Sequence, residues 1–272
     1  MTKVGKILCN PKHYGQRALK LLLWKLSALL GDAPFFLQGQ MDINTKSLWH
    51  NPEFVSRTGG YLINNDGTRR VICPLDPWDN TRRDMLVLLL RSIVEKKIEG
   101  DLVEVGVYKG LTARLIHNYV PDRNLFLFDT FEGFTDRGTR EELSATGSHV
   151  SHACFSDTSL EYVKNIVAPL NEAVHFIKGY FPDSIPEYFE KRKFAFVHLD
   201  ADLYEPILAG LKFFYPRMSC HGTIVVHDYN AWPGARLAVD EFMRDKPELV
   251  IPMPDKSGSA VINKSHLDQK SS

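Results

Sequence analysis

The chain has 272 residues and a formal net charge of zero, with 33 Lys and Arg against 33 Asp and Glu. Its basic residues are spread along the sequence rather than clustered, so nucleic acid is not an expected partner. Four cysteines lie far apart without CxxC spacing, which argues against a zinc site or a disulfide framework and predicts a cytoplasmic protein. The length suits one α/β domain with an N-terminal extension.

Residues 1–80 lack the alternation of strands and helices that follows them. We interpret them as a mainly helical extension that forms an active-site roof or a subunit interface. The apolar run Ala18–Leu30 contains two lysines and is too short to span a bilayer. It predicts an amphipathic helix packed on the domain or on a second subunit, with peripheral membrane contact as the alternative. Five aromatic residues of this extension are candidates for an acceptor pocket or an interface: Trp24, Phe35, Phe36, Trp49 and Trp78.

Residues 81–272 alternate β-rich and helical segments. This pattern predicts a Rossmann-like α/β domain with a doubly wound, mostly parallel sheet of seven strands. The tight turn Asp255–Gly258 requires an antiparallel pair, so the sheet should end in a reversed strand. Strands are predicted at Leu102–Gly106, Leu125–Asp129, Val174–Lys178, Ala195–Asp200, Thr223–His227, Leu249–Pro252 and Ala260–Asn263. Helices are predicted at Thr81–Lys97, Thr112–Asn118, Ser159–Leu170, Pro186–Glu190, Glu205–Phe214 and Pro233–Arg244.

The segment Glu132–Ser156 is polar, carries three glycines and contains no predicted element. A connection of that length inside a compact domain is usually a functional lid or is disordered. Because it begins just beyond a candidate binding acid, Asp129, we predict a lid. Asp157 or Thr158 is expected to cap the helix that follows.

The stretch Leu102–Gly110 predicts a buried strand, a tight glycine turn and the start of a helix. Gly106 leaves room for a ligand to approach the backbone, and Gly110 allows close packing at the helix start. Asp129 ends the next strand roughly 20 residues later, the separation at which a carboxylate meets a ribose diol in this architecture. The turn matches neither GxGxxG nor GxxxxGK followed by Ser or Thr. A nucleoside without a pyrophosphate is therefore expected, with S-adenosylmethionine as the leading candidate.

Further residues near the strand ends are candidates for contacts with this cofactor. Glu104, which is flanked by apolar residues, could orient the cofactor's amine. Tyr180 and Phe181 follow Gly179 and could contact an adenine face, although core packing is an equally good interpretation. The expected cofactor-binding residues are Glu104, Gly106, Tyr108, Gly110, Asp129, Thr130, Phe131, Gly179, Tyr180 and Phe181.

Two other strand ends carry the candidate chemistry. Asp200 and Asp228 follow neighbouring predicted strands and should lie side by side, facing the same crevice as Gly106. Together with His227 they would suit Mg²⁺ or Mn²⁺, which could bind a substrate hydroxyl and lower its pKa. Asp202 could then accept the proton as general base. The alternative is that Asp200 and Asp228 only cap helices and that Asp202 is a solvated turn residue.

Four strings of the sequence resemble the macrocin O-methyltransferase family, class I S-adenosylmethionine-dependent enzymes that methylate sugar hydroxyls on macrolides and aromatic antibiotics. The resemblance covers residues 81–263 and rests on VEVGV at 103–107, FDTFEGF at 128–134, LDADLYE at 199–205 and HDY at 227–229, followed by WPGAR at 232–236. It implies antibiotic biosynthesis, S-adenosylmethionine as methyl donor, a divalent ion (usually Mg²⁺), and a homo-oligomer with N-terminal segments between subunits. Residue by residue, it implies that Asp200 and Asp228 ligate metal, that Asp202 is the base and that Asp129 binds the ribose.

One position departs from that family. Where the family commonly has two adjacent acids before the tyrosine, this chain has His227 and Asp228. The imidazole keeps a ligand but removes a negative charge, which favours Mn²⁺, or else makes His227 the base of a metal-free reaction. Two other functions compete with a methyltransferase. One is a nucleotide-sugar glycosyltransferase, because Asp200-Ala201-Asp202 resembles a DxD metal motif, and the other is a protein that binds the cofactor without catalysis.

Overall fold

The computed structural model describes residues 61–63, 69–71, 79–167 and 172–265. The predicted helix Ala18–Leu30 and the five aromatic residues of the N-terminal extension lie outside these ranges. Tyr61–Ile63 (β1) and Arg69–Val71 (β2) pair in a two-stranded antiparallel sheet. In the described part of the chain, no helix is both long and apolar enough to cross a membrane.

Seven further strands form the main sheet. They are Asp101–Val105 (β3), Leu125–Asp129 (β4), Val174–Lys178 (β5), Phe194–Leu199 (β6), Met218–Val226 (β7), Ile251–Pro252 (β8) and Ala260–Asn263 (β9). Their spatial order is β5-β4-β3-β6-β7-β9-β8. Strands β3 to β7 pair in parallel, and β9 runs antiparallel to both of its neighbours. The predicted mostly parallel sheet with a reversed last strand is therefore confirmed.

Six α-helices surround the main sheet in the described residues: Asn80–Glu95 (α1), Leu111–Tyr119 (α2), Asp136–Thr146 (α3), Leu160–Val167 (α4), Tyr204–Phe214 (α5) and Pro233–Met243 (α6). Two 3₁₀ helices span Glu187–Lys191 and Tyr215–Arg217. The helix predicted at Pro186–Glu190 is present as the first of these 3₁₀ helices. The predicted cap is wrong, since it is Ser159 whose hydroxyl accepts the Tyr162 N–H, at 3.2 Å.

Helix α3 lies inside the segment 132–156, for which the sequence indicated no element. Thr135 caps it by accepting the Gly138 N–H at 3.1 Å, and Gly147 ends it in a left-handed conformation with φ 76°. Leu143 is its one large apolar residue, so hydrophobic periodicity did not reveal the helix. The predicted lid is therefore partly a capped helix, and this helix packs against α5 and α6.

Two hydrophobic cores cover opposite faces of the main sheet. Leu125 and Leu127 of β4 belong to the core with α1, α2 and α4, whereas Phe126 and Phe128 belong to the core with α5 and α6. This division follows from the two-residue repeat of side chains along a strand. Each fully buried side chain of this size contributes about 1.5–3 kcal/mol. Because helices cover both faces, the strands are held firmly in place, and so are the ends of the strands at the edge of the sheet.

Candidate active site

The carboxyl ends of β3, β4, β6 and β7 surround one cavity of about 430 Å³. It opens beside β3, where the strand order reverses, which is the usual position of a ligand site in an open α/β sheet. Most of the predicted site residues line it: Gly106, Tyr108, Asp129, Thr130, Gly179, Tyr180, Phe181, Asp200, Asp202, His227 and Asp228. Glu104, Gly110 and Phe131 are not in this lining.

The glycine turn after β3 is shaped by close contact with the loop after β6. Gly106 has φ 84°, and a Cβ at this position would lie 2.1 Å from the carbonyl oxygen of Asp200. The sequence attributed this glycine to room for a ligand, but the backbone of Asp200 already occupies the space next to its Cα. Gly110 does permit packing at the helix start, as predicted, since a Cβ there would meet Val167 and Val163 of α4.

Asp129 organises the glycine turn as well as lining the cavity. Its Oδ2 accepts the N–H groups of Val107 at 2.6 Å and Tyr108 at 2.9 Å, and its Oδ1 accepts that of Phe131 at 2.6 Å. Tyr108 and Phe131 both have left-handed backbones, with φ 49° and 55°, so these hydrogen bonds stabilise strained residues. The Phe131 ring itself is buried in the core, away from the cavity lining.

Residues 155–158, which precede α4, close onto the glycine turn. The Tyr108 hydroxyl donates to Asp157 at 2.6 Å, and Lys109 forms an ion pair with the same carboxylate. The Thr158 hydroxyl donates to the carbonyl of Tyr108 at 2.7 Å, and the Phe155 ring meets the Tyr108 ring edge-on. Asp157 and Thr158 therefore hold the turn instead of capping α4.

The opposite wall contains the two aromatic residues that were predicted to face adenine. The Tyr180 hydroxyl donates to Glu205 at 2.7 Å, and the Arg137 guanidinium of α3 lies 5.0 Å from the Tyr180 ring centre while its Nε donates to Glu205 at 3.1 Å. Phe181 is almost completely buried against Phe128. These two rings therefore line the cavity and also pack against neighbouring side chains.

A buried carboxylate that the sequence did not single out connects α3 to the loops of the site. Glu142 is completely buried, and its Oε2 accepts the first N–H of α5, that of Tyr204, at 2.8 Å. The start of α6 is equally close, since a Cβ on Gly234 would lie 2.0 Å from the same oxygen. Negative charge is favoured at helix N-termini. Glu142 therefore joins α3 to the two helices that follow the acid-bearing strand ends.

The predicted acids converge at the centre of the site. His227 Nδ1 lies 2.7 Å from Asp200 Oδ1 and 3.0 Å from Asp228 Oδ2, and one ligand atom from each of the three residues falls within 4.8 Å of the others. One imidazole nitrogen between two carboxylate oxygens is a donor set that fits a site for a divalent cation.

The charges in this cluster shift the protonation of its members. Burial, and then the charge of Asp200, raise the pKa of Asp202 well above its usual value, and Asp202 also hydrogen-bonds to Asp228. Burial alone would lower the pKa of His227, but the charges of Asp200 and Asp228 outweigh it and raise this pKa. Asp202 and Asp228 have left-handed backbones, with φ 58° and 57°, as is common for strained functional residues.

An arginine that the sequence did not indicate completes the cluster. Arg82, in the first turn of α1, lines the cavity, and its Nη1 lies 2.6 Å from His227 Nε2. Asp79 holds the start of this turn by accepting the Arg82 N–H at 3.0 Å. The two partners are 145 residues apart in sequence, so only the folded chain brings them together.

Glu104 lies beneath the cavity. It is buried, and its Oε1 is 3.0 Å from His198 Nδ1 on the neighbouring strand. Burial, and then the charges of Asp200 and Asp129, raise the pKa of Glu104 well above its usual value, while burial lowers the pKa of His198 to about 4. Burial therefore favours the uncharged form of both side chains. The predicted contact between Glu104 and a cofactor amine does not follow from this position.

Glu104→Gln is expected to stabilise the protein more strongly as the pH rises. Above the pKa of an unfolded glutamate, folded Glu104 keeps a proton that the unfolded chain has released, so the wild-type protein loses about 1.4 kcal/mol per pH unit until the folded pKa is reached. Glutamine cannot ionise and abolishes this loss. Urea unfolding between about pH 5 and pH 8 measures the difference. Exposed Glu161→Gln is the control, and a pH-independent difference for Glu104→Gln would contradict an uncharged Glu104.

The fold and the cavity together have the features of the class I methyltransferase fold. These features are the seven-stranded sheet with a reversed last strand, the glycine turn after β3 and the acid at the end of β4. The chain belongs to the macrocin O-methyltransferase family, because the family model described as Macrocin-O-methyltransferase matches residues 79–262.

Individual relatives agree with this assignment. Demethyldecarbamoylnovobiocin O-methyltransferase of Streptomyces niveus is 29% identical over 162 residues, which are 56% of this chain and 62% of that protein. Mycinamicin III 3''-O-methyltransferase of Micromonospora griseorubida is 31% identical over 169 residues, 58% of this chain and 65% of that protein. The matches thus span less than two thirds of either relative. The solved structure of the O-methyltransferase NovP is similar with a TM-score of 0.59 at 26% identity, covering 65% of this chain and 77% of that one.

Proposed function

We propose that the protein is an S-adenosylmethionine-dependent O-methyltransferase that acts on a hydroxyl of a sugar or natural-product glycoside in antibiotic biosynthesis. One observation carries the proposal: a single cavity is lined both by the glycine turn with Asp129 and by the acid cluster of Asp200 and Asp228. A nucleoside donor on the turn would then lie next to a hydroxyl at the acids. Such proximity supplies much of the rate acceleration when the electrophile is already activated.

In this proposal a ribose hydroxyl of the cofactor binds Asp129, and the adenine faces Tyr180 and Phe181. The oxygens of Asp129 already accept three backbone N–H groups. Because two carboxylate oxygens offer about four acceptor positions, one position is left for a ribose hydroxyl. S-adenosylmethionine supplies the methyl group as an activated sulfonium. The segment 132–156 would limit the access of water, with α3 fixed and the residues after Gly147 covering the turn.

We propose further that Asp200 and Asp228 hold a divalent ion, Mg²⁺ or Mn²⁺, with His227 as a third ligand. The position of His227 Nδ1 between a carboxylate oxygen of Asp200 and one of Asp228 supports this assignment. When bound, such an ion would act as a Lewis acid toward the acceptor hydroxyl. Asp202 is the proposed general base, because its carboxyl group lies at the cavity beside Asp228 and the positive charge of a bound ion would favour its carboxylate form. The metal-free alternative assigns that role to His227.

The competing functions have less support in the cavity. A nucleotide-sugar glycosyltransferase would need cations for a pyrophosphate. Among the described lining residues, Lys109 is paired with Asp157, and Arg82 contacts His227. A protein that binds the cofactor without catalysis would not require a buried acid such as Asp202 at the cavity. The homo-oligomer expected from the resemblance is a separate proposal, which light scattering of the purified protein tests.

A labelling assay tests the proposed activity. The purified full chain is incubated with methyl-labelled S-adenosylmethionine and glycoside acceptors, including demethyldecarbamoylnovobiocin and mycinamicin III. We expect label in a product that has gained one methylene group, and loss of labelling after EDTA treatment that Mn²⁺ restores. Binding of a nucleoside diphosphate sugar in place of S-adenosylmethionine would contradict the proposal. Labelling that survives EDTA would favour the metal-free reaction.

A further inference from the structure

We propose that Arg82 controls how tightly the acid cluster holds a divalent ion, because Arg82 and the ion require different tautomers of His227. The inference rests on the proposed metal site and adds a residue from outside it. Arg82 Nη1 lies 2.6 Å from His227 Nε2, and a guanidinium has donors but no acceptor. Nε2 must therefore accept this hydrogen bond. In the neutral ring the proton then lies on Nδ1, the atom beside Asp200 and Asp228.

A metal ion needs the opposite arrangement. To ligate an ion, Nδ1 must offer its lone pair, and a neutral ring then carries its proton on Nε2. At 2.6 Å that proton would meet an N–H of Arg82. Histidine ligands usually donate their second N–H to a carboxylate, a carbonyl or water, and Arg82 provides none of these. His227 can therefore become the third ligand only when Arg82 leaves Nε2.

Arg82 is placed so that it can leave. Its contact with His227 is the one side-chain hydrogen bond that the described residues give to the guanidinium, and its buried Nε has none. Its nearest described carboxylate, that of Asp79, lies 4.0 Å from Nε. The guanidinium also borders the cavity, where water or a ligand can accept its hydrogen bonds. Arg82 is thus a positioning residue that acts on the metal through His227.

Mn²⁺ binding to the full chain, followed by electron paramagnetic resonance of the free ion, tests the proposal without a turnover assay. Arg82→Gln and Arg82→Met both remove a positive charge, which favours a cation in either case. Only the glutamine carbonyl can accept a proton from Nε2, so we expect Arg82→Gln to bind Mn²⁺ roughly threefold to tenfold more tightly than Arg82→Met. Arg82→Lys keeps a charged donor and should stay within about twofold of the wild type.

The His227→Asp background is the matched control, because aspartate has no ring tautomers. There, Arg82→Gln and Arg82→Met should tighten Mn²⁺ binding equally. Equal effects in the wild-type background, a glutamine advantage that persists with His227→Asp, or no Mn²⁺ binding by any variant would each overturn the proposal. Methyl transfer that persists in a protein without Mn²⁺ binding would leave the proposed activity standing, so the two failures are distinguishable.

A second measurement needs no Arg82 variant. Long-range ¹H–¹⁵N spectra report which ring nitrogen carries the proton, and the signal of His227 is the one that disappears in His227→Asp. In the metal-free wild-type protein, at a pH high enough for the ring to be neutral, we expect the pattern of a proton on Nδ1 alone. A proton on Nε2 alone at that pH would overturn the assignment.

Discussion

Replacing Asp202 by Asn is expected to reduce methyl transfer by about 10²–10⁴-fold, the usual contribution of a general base. Affinity for S-adenosylmethionine should change little, because the proposed cofactor contacts lie at the glycine turn and at Asp129. The side chain of Asp202 is buried at the cavity beside Asp228. The amide of asparagine matches the carboxyl group in size but cannot take up the proton of an acceptor hydroxyl.

Asparagine is also the substitution that disturbs the backbone least. Asp202 has φ 58°, and asparagine, like aspartate, tolerates this left-handed conformation better than other residues with a Cβ. Turnover is measured with labelled cofactor, and cofactor affinity by calorimetry. Asp122→Asn, on an exposed turn, is the control for the same chemical change. Turnover within about tenfold of the wild type would rule out Asp202 as the base.

Gly106→Ala is expected to cost about 2–5 kcal/mol of folding free energy, together with loss of cofactor binding. Two penalties combine at this position. A residue with a Cβ is strained at φ 84°, and the new Cβ would lie 2.1 Å from the carbonyl oxygen and 2.6 Å from the carbonyl carbon of Asp200. Both are backbone atoms, so the loop that carries Asp200 would have to move away from the turn.

Gly147→Ala separates these two penalties. Gly147 has φ 76°, close to that of Gly106, but a Cβ there would meet nothing within 4 Å. It should therefore cost only the conformational term, about 1–2 kcal/mol. Urea unfolding of the two variants and calorimetry with S-adenosylhomocysteine measure the contrast. Equal destabilisation by the two alanines would mean that the contact between the turn and Asp200 is not tight.

Strand positions could be predicted because apolar runs in this chain end at informative residues. Leu125–Asp129 is such a run, and its predicted bounds coincide with those of β4. The rule that parallel strands end at one edge was then enough to bring Asp200 and Asp228 together with the glycine turn. Helix α3 was missed because its signal lies in its end residues, Thr135 and Gly147, and not in an apolar face.

Arg82 and Glu142 mark the limit of what the sequence could indicate about the site. Arginine and glutamate on a helix usually lie at the surface, so neither residue stands out in the sequence. Each meets its partner only through tertiary packing, which brings Arg82 to His227 and Glu142 to the N–H of Tyr204. Glu104 shows a different limit of the sequence. Its position next to the glycine turn suggested a ligand contact, but the two-residue repeat of β3 turns its side chain toward His198.

The burial of Glu142 sets a rule for engineering acceptor specificity by loop exchange. A graft of residues 132–156 from another methyltransferase would replace the carboxylate that accepts the first N–H of α5. A donor sequence without an acid at that position would leave this N–H group buried and unsatisfied, at a cost of about 1–3 kcal/mol. Chimeras should therefore retain Glu142 and draw their diversity from the residues that follow Gly147.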